Sequence, residues 1–183
     1  MTVQVKFTYD DYLLFPDDGR RHELIDGEHY MTPSPSERHQ RISFNITHHI
    51  AAYFDQRPLG RLYAAPFDVV LSKTDVVQPD LLFVSAAKSS ILTAQNVQGA
   101  PDLVVEILSE TTRRTDEIIK RKLYEHFGVQ EYWIIDPELE TIKVYRIAGQ
   151  GYQRVAELSR EADDTLATPL LPDLRLPLSK IFE

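Results

Sequence analysis

Apolar residues recur along this chain in two rhythms. Ile42, Ile46, Ile50, Tyr53 and Phe54 fall at helical spacing and predict a helix from about Glu37 to Asp55 with one buried face. A second helix is expected from about Thr112 to Phe127, with Ile119, Leu123 and Phe127 as its apolar stripe and Gly128 as its stop. "TYDDYLLF" reads as a short helix capped by Thr8. The other rhythm is that of strands. "HELIDGEHYMT" predicts a hairpin turning at Asp26-Gly27, and "YAAPFDVVLS" with "VVQPDLLFVS", joined by "KTD", predicts an antiparallel pair. "PDLVVEILS" is too apolar and too β-branched for a surface strand, so it belongs at the centre, covered on both faces. "EYWIIDPELETIKVYRIAGQGYQRVAEL" reads as strand, turn, strand, glycine turn, strand. The final "TPLLPDLRLPLSKIFE" is punctuated by proline and reads as extended chain with a last turn, while "AAKSSILTAQNVQGA" is irregular apart from one helical turn. The order predicts an α+β fold: a mixed β-sheet core flanked by the two longer helices, an N-terminal hairpin and C-terminal antiparallel strands.

Composition narrows this picture without redirecting it. A chain of 183 residues, 43% hydrophobic and 26% charged, has the size and balance of one globular domain spanning 1–183. There is no cysteine, which excludes sulfur-ligated zinc and fits a reducing cytoplasm. The opening "MTVQVKFTYDDYLLF" lacks the basic and apolar regions of a leader, and no apolar run is long enough to span a membrane. A net charge of -8 argues against a general polyanion-binding surface, so any contact with DNA must be local.

One residue breaks the apolar pattern. Glu106 stands inside "PDLVVEILS", where an ionised carboxylate must be protonated, paired with a cation, or bound to a metal. Asp80, which follows Pro79 at the start of a neighbouring strand, is a second carboxylate; together they suit a hard divalent ion such as Mg²⁺. Asp102 competes with Asp80 for this role. Four residues of strand separate it from Glu106 by about 13 Å, too far to share one ion, so it reads as a strand-start residue. His39 projects onto the face of Ile42, Ile46 and Ile50, toward the sheet, where a lone histidine is more often a hydrogen-bonded core residue. Glu23, in "ELIDG", has solvent-facing alternation as its plain role.

The layout of Pro-Asp, a strand with Glu, then a helix resembles the PD-(D/E)XK nuclease superfamily and, more closely, the Uma-two family within it. The resemblance runs through "HELIDGEHYMTPSPSERHQRIS", "VVQPDLLFV" and "APDLVVEILSETTRRTDEIIKRKLYEHFGVQEYWIIDP". It implies a restriction-endonuclease-like fold and a Mg²⁺-dependent DNA endonuclease, with Mn²⁺ able to substitute. It also implies Asp80 and Glu106 as metal ligands, Glu23 as a helper carboxylate, and a functional His39. The sequence departs from the superfamily at Leu108, which stands where a lysine is expected. In the Uma-two pattern that lysine has moved to the following helix, where Lys120 stands here. At 100° per residue Asp116 falls inside the apolar stripe, Lys120 about 60° from its centre, and Lys122 about 100° away on the other side. Lys120 is thus the better candidate, against the plain alternative of a surface Asp116–Lys120 pair. Arg113-Arg114 and Lys120-Arg121-Lys122 could meet phosphates, and a double-strand cut by a one-site chain would favour a homodimer. The alternative of another class is a catalytically silent nuclease-fold module binding DNA or a protein partner. A glycoside hydrolase with paired carboxylates fits less well, since it leaves the lysine unexplained.

Overall fold

The computed structural model describes residues 5–183; the first four, part of the segment read for a leader, lie outside the described residues. The chain opens with α1 (Tyr9–Tyr12), whose cap Thr8 exchanges hydrogen bonds with Asp11. The hairpin β1 (Arg21–Ile25) and β2 (Glu28–Thr32) follows. It turns on Asp26 and Gly27 with φ of 51° and 72°. A Cβ at Gly27 would lie 2.6 Å from that of Lys6, so this turn demands glycine on two counts. The long helix α2 (Glu37–Phe54) buries His39, Ile42, Ile46 and Ile50, the face predicted for it.

The predicted antiparallel pair after α2 is real but broken in two. Its first arm is β3 (Gly60–Ala64) and β4 (Val69–Val70); its second is β5 (Val76–Val77) and β6 (Leu81–Ser85). β3 pairs with β6 in one sheet, and β4 pairs with β5 in another. Prolines at 66 and 79 mark the break, where a residue without an N–H cannot continue a ladder. Pro66-Phe67-Asp68 and Gln78-Pro79-Asp80 interrupt the apolar pattern of the two arms, but an interruption does not say that the chain changes sheet across it.

A 3₁₀ turn (Ala86–Ile91) and β7 (Val97–Gln98) lead to β8 (Leu103–Ile107). After β8 the helix begins with a widened, π-type turn (Thr115–Lys120) and continues as α3 (Arg121–Phe127), ended by Gly128 at φ 78°. Three strands follow, β9 (Glu131–Asp136), β10 (Thr141–Ala148) and β11 (Gly151–Ser159). The chain closes with the hairpin β12 (Thr165–Thr168) and β13 (Leu171–Pro177) and the short α4 (Leu178–Ile181). The main sheet has the order β11-β10-β9-β8-β6-β3, and a second sheet has the order β2-β1-β5-β4-β7.

β8 is central, antiparallel to β6 and parallel to β9, and every residue of it is buried. Its two faces belong to two cores. Leu103, Val105 and Ile107 pack with Ile42, Ile46 and Ile50 of α2. Val104 and Leu108 pack with Leu123 and Tyr124 of α3 and with Ile25, Val69 and Val77 of the second sheet. Strand alternation therefore turns Glu106 toward α3 and the second sheet.

Candidate functional site

Each carboxylate reaches the site by a different local device. Glu106 is carried by the alternation of β8. Asp80 lies where the chain leaves one sheet for the other: the Ile107 N–H donates to its Oδ2 at 2.8 Å, and its own carbonyl accepts from the Ala65 N–H. Glu23 comes from β1, where the Gln78 N–H donates to its Oε1 at 2.8 Å, so the crossing also ties the second sheet to the first. The residue is 2% exposed, and the solvent-facing role allowed by alternation does not hold, because its carboxylate is turned to Lys120 and the Gln78 N–H instead of to water. These groups line a cavity of about 380 Å³ together with Asp116 and Lys120.

Lys120 is the hub. Its Nζ lies 2.9 Å from Glu23, 3.0 Å from Glu106 and 3.5 Å from Asp116, and it is buried. Asp116 and Lys120 thus do form an i,i+4 pair, but beneath the surface. The widened turn holds both inward, whereas Lys122 is exposed; such turns are frequent at functional sites. Tyr124, one turn on, donates from its hydroxyl to Glu106 Oε1 at 2.8 Å.

Asp80 has partners of its own. Its Oδ1 meets Arg21 Nη1 at 2.5 Å, and His39 Nε2 lies 3.0 Å from its Oδ2. His39 does point to the sheet, as its helical phase predicts. It meets a carboxylate there, and its Nδ1 is buried without a hydrogen-bond partner among the described residues. Sequence reasoning missed Arg21 and Tyr124. Arg21 was accessible to the period of two that puts it on the face of Glu23, and Tyr124 to the period of four that stacks it on Lys120.

The electrostatics follow from too many carboxylates for the cations present. Burial pushes the Glu106 carboxyl well above the usual range; Lys120 opposes this, while Asp116, Asp80 and Glu23 add to it. Asp116 is pushed up to about 6, first by burial, against the pull of Lys120. Burial would discharge Lys120, but the carboxylates of Glu106, Glu23 and Asp116 outweigh it and raise its pKa further. The ammonium is held in its charged form, and Glu106 and Asp116 keep their protons to higher pH than ordinary carboxyl groups. At Asp80 burial also raises the pKa, but His39 and Arg21 together outweigh it and hold the group below the ordinary value.

These donors are hard oxygens in a site short of positive charge, which suits Mg²⁺. Among the described residues no group of three or more His, Asp or Glu side chains is arranged as it stands to cage a metal ion. Mg²⁺ is commonly held by one or two carboxylates with water and substrate phosphate completing its shell, so the residues fit by chemistry.

Asp102 is elsewhere. Its carboxylate accepts from the Ser85 N–H at 2.7 Å and meets Lys88 at 3.2 Å, consistent with a strand-start role. Among the described residues no helix is long and apolar enough to cross a membrane.

A mixed sheet with an acidic strand at its centre and helices at its faces is the restriction-endonuclease-like fold. Residues 9–179 match the family Uma2, described as "Putative restriction endonuclease", and the chain belongs to that family. Among solved structures it is similar to a protein from Anabaena variabilis ATCC 29413 described as a "putative nuclease belonging to DUF820". The TM-score is 0.80 at 22% sequence identity, over 96% of this chain and 97% of that one, which shows a shared fold. No curated protein matches the chain.

Proposed function

We propose that this protein is an endodeoxyribonuclease that hydrolyses DNA phosphodiester bonds with Mg²⁺, or Mn²⁺ in its place. The observation that carries the reading is Lys120: from the helix after the acidic strand, it meets Glu106 and Glu23 in the cavity that Asp80 also lines. That supplies an ammonium beside the carboxylates although Leu108 occupies the usual lysine place. Asp80 and Glu106, assisted by Glu23, would hold the ion, which supplies polarisation of the phosphodiester and a more acidic bound water.

The chain's own groups have separable tasks. Arg21, His39 and the Ile107 N–H keep Asp80 ionised and fixed in direction. Tyr124 and Lys120 fix Glu106. Lys120 makes its longest contact, 3.5 Å, with Asp116, so that is the contact it surrenders most readily to orient an attacking water or to face the charge that develops on phosphorus oxygens. Arg38 and Arg113, half-exposed at the cavity, suit contacts to the DNA backbone.

One observation favours the alternative, a nuclease-fold module that binds DNA or a protein without cutting it: both oxygens of Asp80 are already engaged. Plasmid nicking in Mg²⁺, in Mn²⁺ and in chelator separates the two. Nicking that needs the ion and is lost in Glu106→Gln is expected. DNA binding without cleavage of duplex, single-stranded or branched substrates in either ion would favour the silent module.

A further inference from the structure

The surroundings of Lys120 are those of a bound cation. Glu23 from β1, Glu106 from β8 and Asp116 from the widened turn all direct an oxygen at its ammonium, at 2.9, 3.0 and 3.5 Å. These contacts match the three protons of an ammonium. Asp116 is the least satisfied of the three carboxylates. Its side chain is 3% exposed, and its Oδ1 accepts no hydrogen bond among the described residues; it lines the cavity with the Lys120 ammonium no nearer than 3.5 Å. A buried carboxylate oxygen in that condition is costly unless a cation completes it.

We propose that Lys120 is a resident stand-in for a hard divalent cation, and that the two compete for the oxygens of Glu106, Glu23 and Asp116. The inference rests on the reading of the site as a Mg²⁺ centre and goes beyond it in two respects. It adds Asp116 to the carboxylates that take up the ion, and it makes release of the lysine depend on the ion's arrival. Three carboxylates and one ammonium leave an excess of negative charge that an ion of charge +2 relieves better than one of +1. The cavity that Lys120 lines offers its head group room to move toward a bound phosphate once displaced. Without the ion the lysine keeps like charges from repelling one another; with it, the lysine is free for the substrate.

The test measures binding, without DNA and without turnover. Mn²⁺ affinity is measured by calorimetry for the wild type, Lys120→Met, Asp116→Asn and Asp80→Asn. In parallel, acetylation of Lys120 by an amine-reactive ester is followed by mass spectrometry with and without Mn²⁺. Removing the competing ammonium should tighten Mn²⁺ binding roughly tenfold, and removing the Asp116 charge should weaken it by a similar factor, the scale of one screened charge pair. Acetylation of Lys120 in the wild type should rise on saturation with Mn²⁺. Should Lys120→Met fail to fold, the isosteric Asp116→Asn and the acetylation of the wild type decide alone. Unchanged affinity in Asp116→Asn, or a lysine that stays protected at saturating Mn²⁺, overturns the inference. If affinity then still depends on Asp80, the Mg²⁺ reading survives without it; if the wild type and every variant ignore Mn²⁺, both fall together.

Discussion

Two short stretches, Pro79-Asp80-Leu81-Leu82 and Pro101-Asp102-Leu103-Val104, are near twins in sequence and opposites in surroundings. Both aspartates are buried, and each precedes an apolar strand. The strands, β6 and β8, are antiparallel neighbours, so the two starts lie at opposite ends of one ladder. At the Asp80 end stand Glu106, Glu23, Asp116 and Lys120 around a cavity. At the Asp102 end the carboxylate caps the Ser85 N–H and meets Lys88. The comparison teaches that a carboxylate at a strand start becomes chemically useful when other elements converge on it. Alone, it satisfies backbone.

The largest contrast expected is between the lysines of the two ends. Lys120→Ala should lower single-turnover cleavage on the order of 10²–10³-fold, the scale of losing transition-state charge stabilisation in a dry site, while Mn²⁺ is still bound. Lys88→Ala and the exposed Lys122→Ala should change the rate little. Equal modest losses at Lys120 and Lys122 would reduce both to a basic helix face.

A smaller contrast should appear in thermal stability. Mn²⁺ at about 100 times its dissociation constant should stabilise the fold by roughly 2.7 kcal/mol through mass action. Asp80→Asn should abolish that shift and Asp102→Asn keep it. A wild-type melting temperature unmoved by millimolar Mn²⁺ would remove the metal from the Asp80 end altogether.

Smaller again are the costs of the substitutions themselves in metal-free protein. Asp102→Asn should destabilise by about 1 kcal/mol, since it weakens a charge-assisted bond to a buried N–H. Glu106→Gln should stay within about 1 kcal/mol of the wild type or gain slightly, because it removes a desolvated, surplus charge while leaving an oxygen to accept from Tyr124. Severe loss on chemical denaturation would make Glu106 a structural ion-pair partner.

The smallest effect concerns acid. Because the folded pKa of Asp80 is held below the ordinary carboxylate value, its ionised form adds stability that is complete above the unfolded pKa of about 4 and is lost as pH falls through the lower folded value. Asp80→Asn should therefore flatten the acid limb of stability against pH, and denaturation curves collected below pH 4 would detect it.

Much of this was legible in the chain because it depends on neighbours in sequence. The period of α2, the Asp26-Gly27 turn, the central burial of β8 and the helix stop at Gly128 follow from spacing and local backbone chemistry. So does the anomaly of Glu106, since alternation in a doubly covered strand leaves no solvent for it. The helical phase of Lys120 favoured it over Lys122, although the widened turn, not an ideal helix, finally sets it inward. Tertiary structure alone decided the rest. The interruption at Gln78-Pro79-Asp80 gives no sign that the chain leaves one sheet for another there, and that crossing brings Asp80 and Glu23 to the same cavity. Nor could spacing show that Arg21 and His39, from β1 and α2, would meet Asp80, or that three elements would aim their carboxylates at one ammonium. Alternation and helical phase fix which way a side chain points; what it points at depends on elements tens of residues away, whose arrangement is set by the packing of two cores against one sheet.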